Sequence, residues 1–96
     1  MASSVVPSRS PMTLTERFED AQARVKALAS APSTDKLLEL YALYKQGSVG
    51  DTQGSRPGMM DFKGRAKFDA WAGRKGMSKD QAMEAYVALV DRLTTS

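Results

Sequence analysis

The sequence contains neither cysteine nor histidine, and these two absences exclude several kinds of chemistry. Without cysteine the chain has no disulfide, no thiol nucleophile and no thiolate metal ligand, which is consistent with a reducing compartment. Without histidine it lacks the residue that most often acts as a general base near neutral pH. No two carboxylates are evidently gathered in one pocket either. We therefore predict a protein that is not an enzyme and that holds no metal or cofactor.

Long hydrophobic runs are also absent. The longest apolar run, residues 85–90, has six residues, whereas a bilayer-crossing helix needs about 20. The first twelve residues (MASSVVPSRSPM) carry four serines and two prolines, too little apolar content for a secretory signal. We interpret residues 1–12 as a disordered tail rather than a transit peptide, since they carry a single arginine and no amphipathic period. Residues 13–96 form one predicted domain of a soluble, cytoplasmic protein.

Positive charge is concentrated in one part of the chain. The formal net charge of the 96 residues is +3. Residues 41–75 contain seven basic and three acidic side chains, a net charge of +4, so the remainder is close to neutral. A local excess of this kind raises the concentration of an anionic partner near one face of the protein.

Hydrophobic periodicity predicts four helices and no strand, and hence an all-α fold. The first helix begins at Thr13, which forms a capping-box pattern with Glu16, and ends at Ala31 before a proline. Ser33 or Thr34 caps the second helix, and Gly47 is its predicted end.

The second half of the chain supplies two more helices after a long connection. Glycines and a proline between residues 47 and 60 interrupt any period, and so long a connection allows helices two and three to run parallel. The third helix spans about 61–74 and is closed by Gly76, with Phe68 and Trp71 on its core-facing side. Ser78 and Gln81 form a second capping-box pattern before the last helix.

A group of tyrosines and lysines suggests where an anion binds. Tyr41, Tyr44 and Lys45 are spaced three and four apart, so one side of the second helix presents all three. Lys63 and Lys67 repeat the spacing of four on the third helix. A tyrosine hydroxyl beside an ammonium suits a phosphate, so we expect the two helices to share one anionic ligand.

The sequence resembles the acyl-CoA-binding proteins. The similarity lies in YALYKQGSVGD (41–51), RPGMMDFKGRAKFDAW (56–71), KGMS (75–78) and AMEAYVALV (82–90), and it runs from about residue 18 to residue 93. The resemblance implies an up-down-down-up four-helix bundle with a long connection between helices 2 and 3. It also implies non-catalytic binding, buffering and intracellular transport of long-chain fatty acyl-CoA esters.

The resemblance assigns ligand contacts residue by residue. It implies that Tyr41, Lys45 and Lys67 meet the 3′-phosphate of CoA and that Tyr86 lies beside the nucleotide. The resemblance also implies ligand contacts from Tyr44 and Lys26, and we expect Lys63, one turn before Lys67, to line the same rim. The expected partners are the acyl-CoA ligand and, transiently, acyl-CoA-using enzymes and membrane surfaces, with no nucleic acid and no stable membrane insertion. We expect a monomer, since the amphipathic faces suffice to bury one another.

Three positions depart from the family pattern. Phe68 stands where a tryptophan is usual, and this keeps an aromatic residue in the predicted core. Gln22 replaces a small alanine near the ligand, and Gly47 replaces an alanine, which would loosen the end of the second helix.

Each candidate residue also has a simpler structural interpretation. Tyrosines at helical spacing are common in cores, and exposed lysines commonly face solvent. A small basic helical domain could instead bind nucleic acid through its phosphates. The third helix, however, offers alanines, glycines and basic groups rather than a polar face that reads bases.

Overall fold

The computed structural model describes residues 12–95, so all but Met12 of the predicted tail lies outside the described residues. Over that range the chain forms four helices and no strand, which confirms the all-α prediction. The helices are α1 (Leu14–Lys26), α2 (Thr34–Ser48), α3 (Phe62–Ala72) and α4 (Lys79–Thr95).

Both predicted capping boxes are present. The Glu16 backbone N–H donates to Thr13 Oγ1 at 3.1 Å, and the Thr13 N–H donates to the Glu16 carboxylate at 2.8 Å. Ser78 and Gln81 make the same reciprocal pair at 3.0 Å in both directions. Ser33 rather than its neighbour caps α2, since its hydroxyl accepts a bond from the first turn. Each cap satisfies backbone donors that a helix start leaves unpaired.

Helix ends were predicted less well than helix starts. α1 ends at Lys26 because the next two N–H groups bond to carbonyls three residues back, which tightens and closes the last turn. The proline on which the prediction relied marks only the latest possible end. α3 likewise ends at Ala72, and Gly76, with a φ of +95°, lies beyond it in the turn before α4.

Gly47 does not terminate α2, contrary to the prediction. The helix continues to Ser48, and Gly47 is buried against α1 and α4. A Cβ at this position would lie 3.1 Å from Met83 Cγ and 3.2 Å from Phe18 Cζ. The glycine therefore permits close packing of three helices rather than loosening the end of α2.

Helices α2 and α3 lie side by side and run in the same direction. Lys67 lies over the ring of Tyr41, and one turn further along both helices Lys45 lies over the ring of Trp71. Because the contacts advance together along the two sequences, the helices are parallel. The long connection between them makes this direction possible, as the sequence predicted.

Helices α1 and α4 form a second parallel pair. Phe18 packs edge-to-face on Tyr86, and further along both helices Arg24 binds Asp91 at 2.9 Å. The C-terminal end of α2 lies against the first half of α1, where Gly47 meets Phe18, so these two helices are antiparallel. The bundle therefore has the up-down-down-up order that the resemblance implied.

The hydrophobic core is built by α1, α2 and α4. Its buried residues are Phe18, Ala21, Leu40, Leu43, Ala82, Tyr86, Val87, Leu89 and Val90. α3 contributes no buried residue, so it packs on α2 as an outer helix. The prediction that Phe68 and Trp71 belong to the core was wrong, because both are only half-buried.

Polar bonds hold the long connection against the helix ends. Trp71 Nε1 donates to the Gly50 carbonyl at 2.8 Å, which explains why this aromatic ring stays near the surface. Asp51 accepts bonds from the buried Gln46 amide at 2.8 Å and from the Gly76 N–H at 2.9 Å. These bonds join the end of α2 to the turn before α4.

Candidate functional site

A large cavity lies between α1, α2 and α4 at the end of the bundle that carries the α1–α2 connection. Its volume is about 520 Å³. The lining residues are Gln22, Val25, Lys26, Leu28, Ala31, Pro32, Leu37, Leu40, Tyr41, Tyr44 and Tyr86. Most of this lining is apolar, whereas the polar groups are three tyrosine hydroxyls, one amide and one ammonium. Such a surface fits a ligand with both an apolar and a polar part.

A second cavity of about 350 Å³ lies on the other side of α2, against α3. It is lined by Thr34, Leu37, Leu38, Tyr41, Lys63, Ala66 and Lys67. Leu37 and Tyr41 line both cavities, so α2 forms the wall between them. A ligand longer than either cavity can therefore extend across α2 without leaving a lined surface.

Six of the seven predicted site residues line these two cavities. Tyr44, Tyr86 and Lys26 lie around the large cavity, Lys63 and Lys67 lie around the smaller one, and Tyr41 belongs to both. The seventh, Lys45, lies outside both linings. The structure thus gathers residues from all four helices on the two sides of α2.

The two lysines predicted to meet a phosphate are held over aromatic rings. The ammonium of Lys67 lies 5.4 Å from the ring centroid of Tyr41, and that of Lys45 lies 4.9 Å from that of Trp71. Ring faces attract cations without neutralising them. Within residues 12–95, neither ammonium is paired with a carboxylate. Their charge therefore remains available to an anionic ligand.

Tyr86 has two roles that the sequence could not separate. It is buried in the core, with its ring edge-to-face on Phe18 at 5.1 Å between centroids, and it also forms part of the large cavity. Burial, and secondly the neighbouring Tyr44, raises the pKa of the Tyr86 hydroxyl above its ordinary value. This hydroxyl therefore stays protonated at neutral pH and is able to donate a hydrogen bond.

Tyr44 occupies the more exposed side of the same aromatic group. Its ring stacks on Phe18 at 6.1 Å between centroids, with an interplanar angle of 27°. Tyr44 as a whole is 39 % exposed, whereas Tyr86 in the same aromatic group is 4 % exposed. A flat, partly exposed ring at the edge of a cavity offers a stacking surface to another flat group.

Sequence reasoning missed the apolar part of the site. Leu28, Ala31 and Pro32 come from the connection after α1, which the prediction had partly assigned to helix. Leu37, an apolar residue of α2 that lines both cavities, is 46 % exposed. One feature of the sequence could have indicated this part of the site, namely the cluster of apolar residues around the proline that follows α1. Periodicity alone assigns such residues to the core. Gln22, singled out from the sequence, does line the cavity.

Over the described part of the chain, no group of three or more histidine, cysteine, aspartate or glutamate residues is placed to hold a metal ion. Nor does any of the helices described there have the length and apolar content needed to cross a bilayer. The chemically distinctive arrangement is the set of lysines and tyrosines beside the two cavities.

Comparison with known proteins shows which family this chain resembles. The model of the family described as "Acyl CoA binding protein" matches residues 15–90. Acyl-CoA-binding protein homolog 1 of Caenorhabditis elegans is 56 % identical over 80 residues, covering 83 % of this chain and 93 % of that protein. The acyl-CoA-binding protein of Saccharomyces cerevisiae is 48 % identical over 80 residues, covering 83 % and 92 %.

Solved structures agree with the sequence comparison. The crystal structure of Oryza sativa acyl-CoA-binding protein 2 superimposes with a TM-score of 0.80 at 41 % identity, covering 83 % of this chain and 87 % of that one. The solution structure of the yeast protein gives a TM-score of 0.68 at 48 % identity, covering 82 % and 92 %. Because the family match and these relatives span nearly the whole described bundle, this chain belongs to the acyl-CoA-binding protein family.

Proposed function

We propose that this protein binds long-chain fatty acyl-CoA esters reversibly and carries them without chemical change. The observation that supports the proposal most directly is the position of Tyr41, which lines both cavities and lies beneath the ammonium of Lys67. A phosphate-binding pair thus lies next to apolar cavities on both sides of α2. Acyl-CoA combines these two chemistries, since it joins a phosphorylated nucleotide to a long hydrocarbon chain.

The head group is assigned to the basic and aromatic residues. Lys67 and the Tyr41 hydroxyl meet the 3′-phosphate, and Lys45 joins them by moving away from Trp71. Charge-assisted hydrogen bonds of this kind contribute about 1.5 to 3 kcal/mol each. The flat adenine lies beside Tyr86 and the exposed ring of Tyr44. Lys26 and Lys63 supply further positive charge at the two rims.

The acyl chain is assigned to the apolar lining of the cavities. Val25, Leu28, Leu37 and Leu40 offer a nearly continuous apolar surface from α1 to α2. Removing hydrocarbon from water contributes up to about 0.8 kcal/mol per methylene. Affinity should therefore rise with chain length until the chain outgrows the lined surface, while the head-group contribution stays constant.

The protein acts as a buffer and transporter rather than as an enzyme. The family is one of binding proteins, and the sequence lacks both histidine and cysteine, so a histidine base or a thiol nucleophile is unavailable. We propose that it is a cytoplasmic monomer that exchanges its ligand with acyl-CoA-using enzymes and with membrane surfaces through transient contacts. Nucleic acid is the less favoured ligand, since the cavities between the helices are lined mainly by apolar groups.

Calorimetric titration with four ligands tests the proposal. Palmitoyl-CoA should bind most tightly, free CoA more weakly, and palmitate and a short oligonucleotide least, because only palmitoyl-CoA uses both the charged and the apolar surfaces. Equal affinity for palmitoyl-CoA and palmitate would show that the lysines and tyrosines play no part in recognition. Tighter binding of the oligonucleotide than of palmitoyl-CoA would favour the nucleic-acid alternative.

A further inference from the structure

Three large hydrophobic side chains project into solvent at the start of α3. Met59 is 77 % exposed, Met60 86 % and Phe62 75 %, whereas no other large hydrophobic residue in the described part of the chain exceeds 46 %. They occupy three of four consecutive positions. We name these three residues the 59–62 patch. Isolated exposed hydrophobic residues are ordinary, but a cluster this exposed indicates a surface that meets a partner.

The local backbone explains why the patch projects. The Asp61 N–H donates to the Gly58 carbonyl at 3.0 Å, which closes a turn with the two methionines at its tip. Asp61 then caps α3 by accepting the Gly64 N–H at 2.9 Å, and Phe62 is the first residue of the helix. The side chains are thus held outward by a hydrogen-bonded turn and a capped helix start. All three side chains are largely exposed, and none of them lines either cavity.

Basic residues of the smaller cavity border the patch. Lys63 is adjacent to Phe62, and Lys67 follows one turn later; both are exposed, and both line that cavity. The nearest carboxylate in sequence, Asp61, is already engaged in capping α3. The exposed apolar side chains of the patch, with ammonium groups beside them, are complementary to a surface that has an apolar interior and a negatively charged outer layer.

We propose that the 59–62 patch is a docking surface for an anionic lipid bilayer. Exposed methionines and a phenylalanine can insert into the headgroup region of a bilayer, whereas a protein partner has to offer a complementary surface. Apolar insertion combined with attraction of lysines to anionic headgroups is the usual basis of peripheral membrane binding. Docking in this way brings the rim of the smaller cavity to the bilayer surface. An exchange of ligand between the bilayer and this cavity would rest on the proposed acyl-CoA function, whereas docking itself does not.

Vesicle sedimentation of the ligand-free protein tests this surface. The full chain should bind vesicles of mixed phosphatidylcholine and phosphatidylserine, bind pure phosphatidylcholine more weakly, and lose binding as salt is added. The double substitution Met60→Ser and Phe62→Ser should lower partitioning onto the anionic vesicles by about tenfold. Met12→Ser is the matched control, since Met12 is also exposed but lies before α1, and it should leave partitioning unchanged.

Two further measurements separate this proposal from the proposed function. Thermal unfolding of the double variant should match the wild type, because the replaced side chains are exposed. Calorimetric binding of palmitoyl-CoA in the absence of vesicles should also be unchanged, and that titration alone decides the acyl-CoA function. The docking proposal is overturned if the wild type fails to bind the anionic vesicles, or if the double variant binds them as well as the wild type does.

Discussion

The two helix pairs of this bundle differ in what they bury. The α1–α4 pair, with the inner face of α2, supplies all of the buried hydrophobic cluster, whereas α3 contributes none of it. Conversely, α2 and α3 present lysines over aromatic rings and flank the smaller cavity. The difference indicates that stability depends mainly on one part of the molecule and anion recognition on the other. Substitutions on the two sides should therefore have separable effects.

The largest expected effect is a loss of stability from a leucine in the core. Leu89 on α4 is 1 % exposed, and Leu89→Ala should lower the free energy of unfolding by about 2 to 5 kcal/mol, through lost burial and the cavity left behind. Denaturant unfolding measures this. The matched control is Leu37→Ala, since Leu37 is 46 % exposed and lines both cavities. It should cost little stability and weaken palmitoyl-CoA binding instead; equal destabilisation by both substitutions would contradict the division between the two regions.

The next effect concerns binding alone. Lys67→Ala should weaken palmitoyl-CoA binding by about ten- to a hundredfold, because it removes one charge-assisted contact. The midpoint of thermal unfolding should hardly change, since Lys67 is exposed and lies against only one ring. Calorimetry and a thermal melt on the same sample measure the two quantities.

Lys36→Ala provides the control for that experiment. Lys36 is an exposed lysine in the first turn of α2, paired at 3.5 Å with Glu39, and it lines neither cavity. Its removal changes the net charge by the same amount as Lys67→Ala. Equal losses of affinity from the two substitutions would mean that overall charge, rather than a defined site, attracts the ligand. Unfolding of the Lys67 variant would instead make that lysine a structural residue.

Features that depend on nearby residues could be predicted from the sequence. Helix starts are encoded locally, so pairs such as Thr13 with Glu16 could be recognised from two residues and their spacing. The set of lysines and tyrosines on α2 and α3 was recoverable because helical spacing fixes which side chains share a face. The resemblance supplied Tyr86 and Lys26, which lie far from that set in the sequence.

What the sequence could not supply depends on contacts between distant segments. Gly47 has the character of a helix end, and only its approach to Phe18 and Met83 shows that it is a packing position. Trp71 has the character of a core residue until its bond to the Gly50 carbonyl is known. The apolar lining of the large cavity was hidden similarly, since an apolar residue facing a cavity and one facing a core have the same periodicity.

The joint between the two regions, where Gln46 meets Asp51 and the Met77 carbonyl, offers a smaller effect on stability than the core leucine does. Gln46 is fully buried, and its amide donates at 2.8 Å both to Asp51 and to the Met77 carbonyl just before α4. Gln46→Ala should lower the free energy of unfolding by about 1 to 3 kcal/mol, because the Met77 carbonyl loses this side-chain donor in a partly buried place and Asp51 keeps only the Gly76 N–H. Gln53→Ala, at an exposed glutamine of the long connection, is the control and should be nearly neutral. If Gln46→Ala changed the free energy of unfolding as little as Gln53→Ala does, the bonds of Gln46 would not stabilise the joint.

The smallest expected effect is a pH dependence at the same joint. The Gly76 N–H and, secondly, the Gln46 amide hold the pKa of the Asp51 carboxyl below its ordinary value. The folded protein therefore releases this proton more readily than the unfolded chain, so the stabilisation is complete above the ordinary aspartate pKa of about 4. It is lost as the pH falls through the lower, folded-state pKa. The Asp51→Asn variant has no charge to titrate at this position, and its free energy of unfolding should depend less on pH in the acidic range.

The informative quantity is the difference in the free energy of unfolding between wild type and variant. Other carboxylates contribute equally to both proteins and cancel in this difference; one of them is Asp69, whose pKa the Arg56 guanidinium lowers. That difference should shrink as the pH is lowered. A difference that stays constant with pH would mean that the charge of Asp51 does not stabilise the joint.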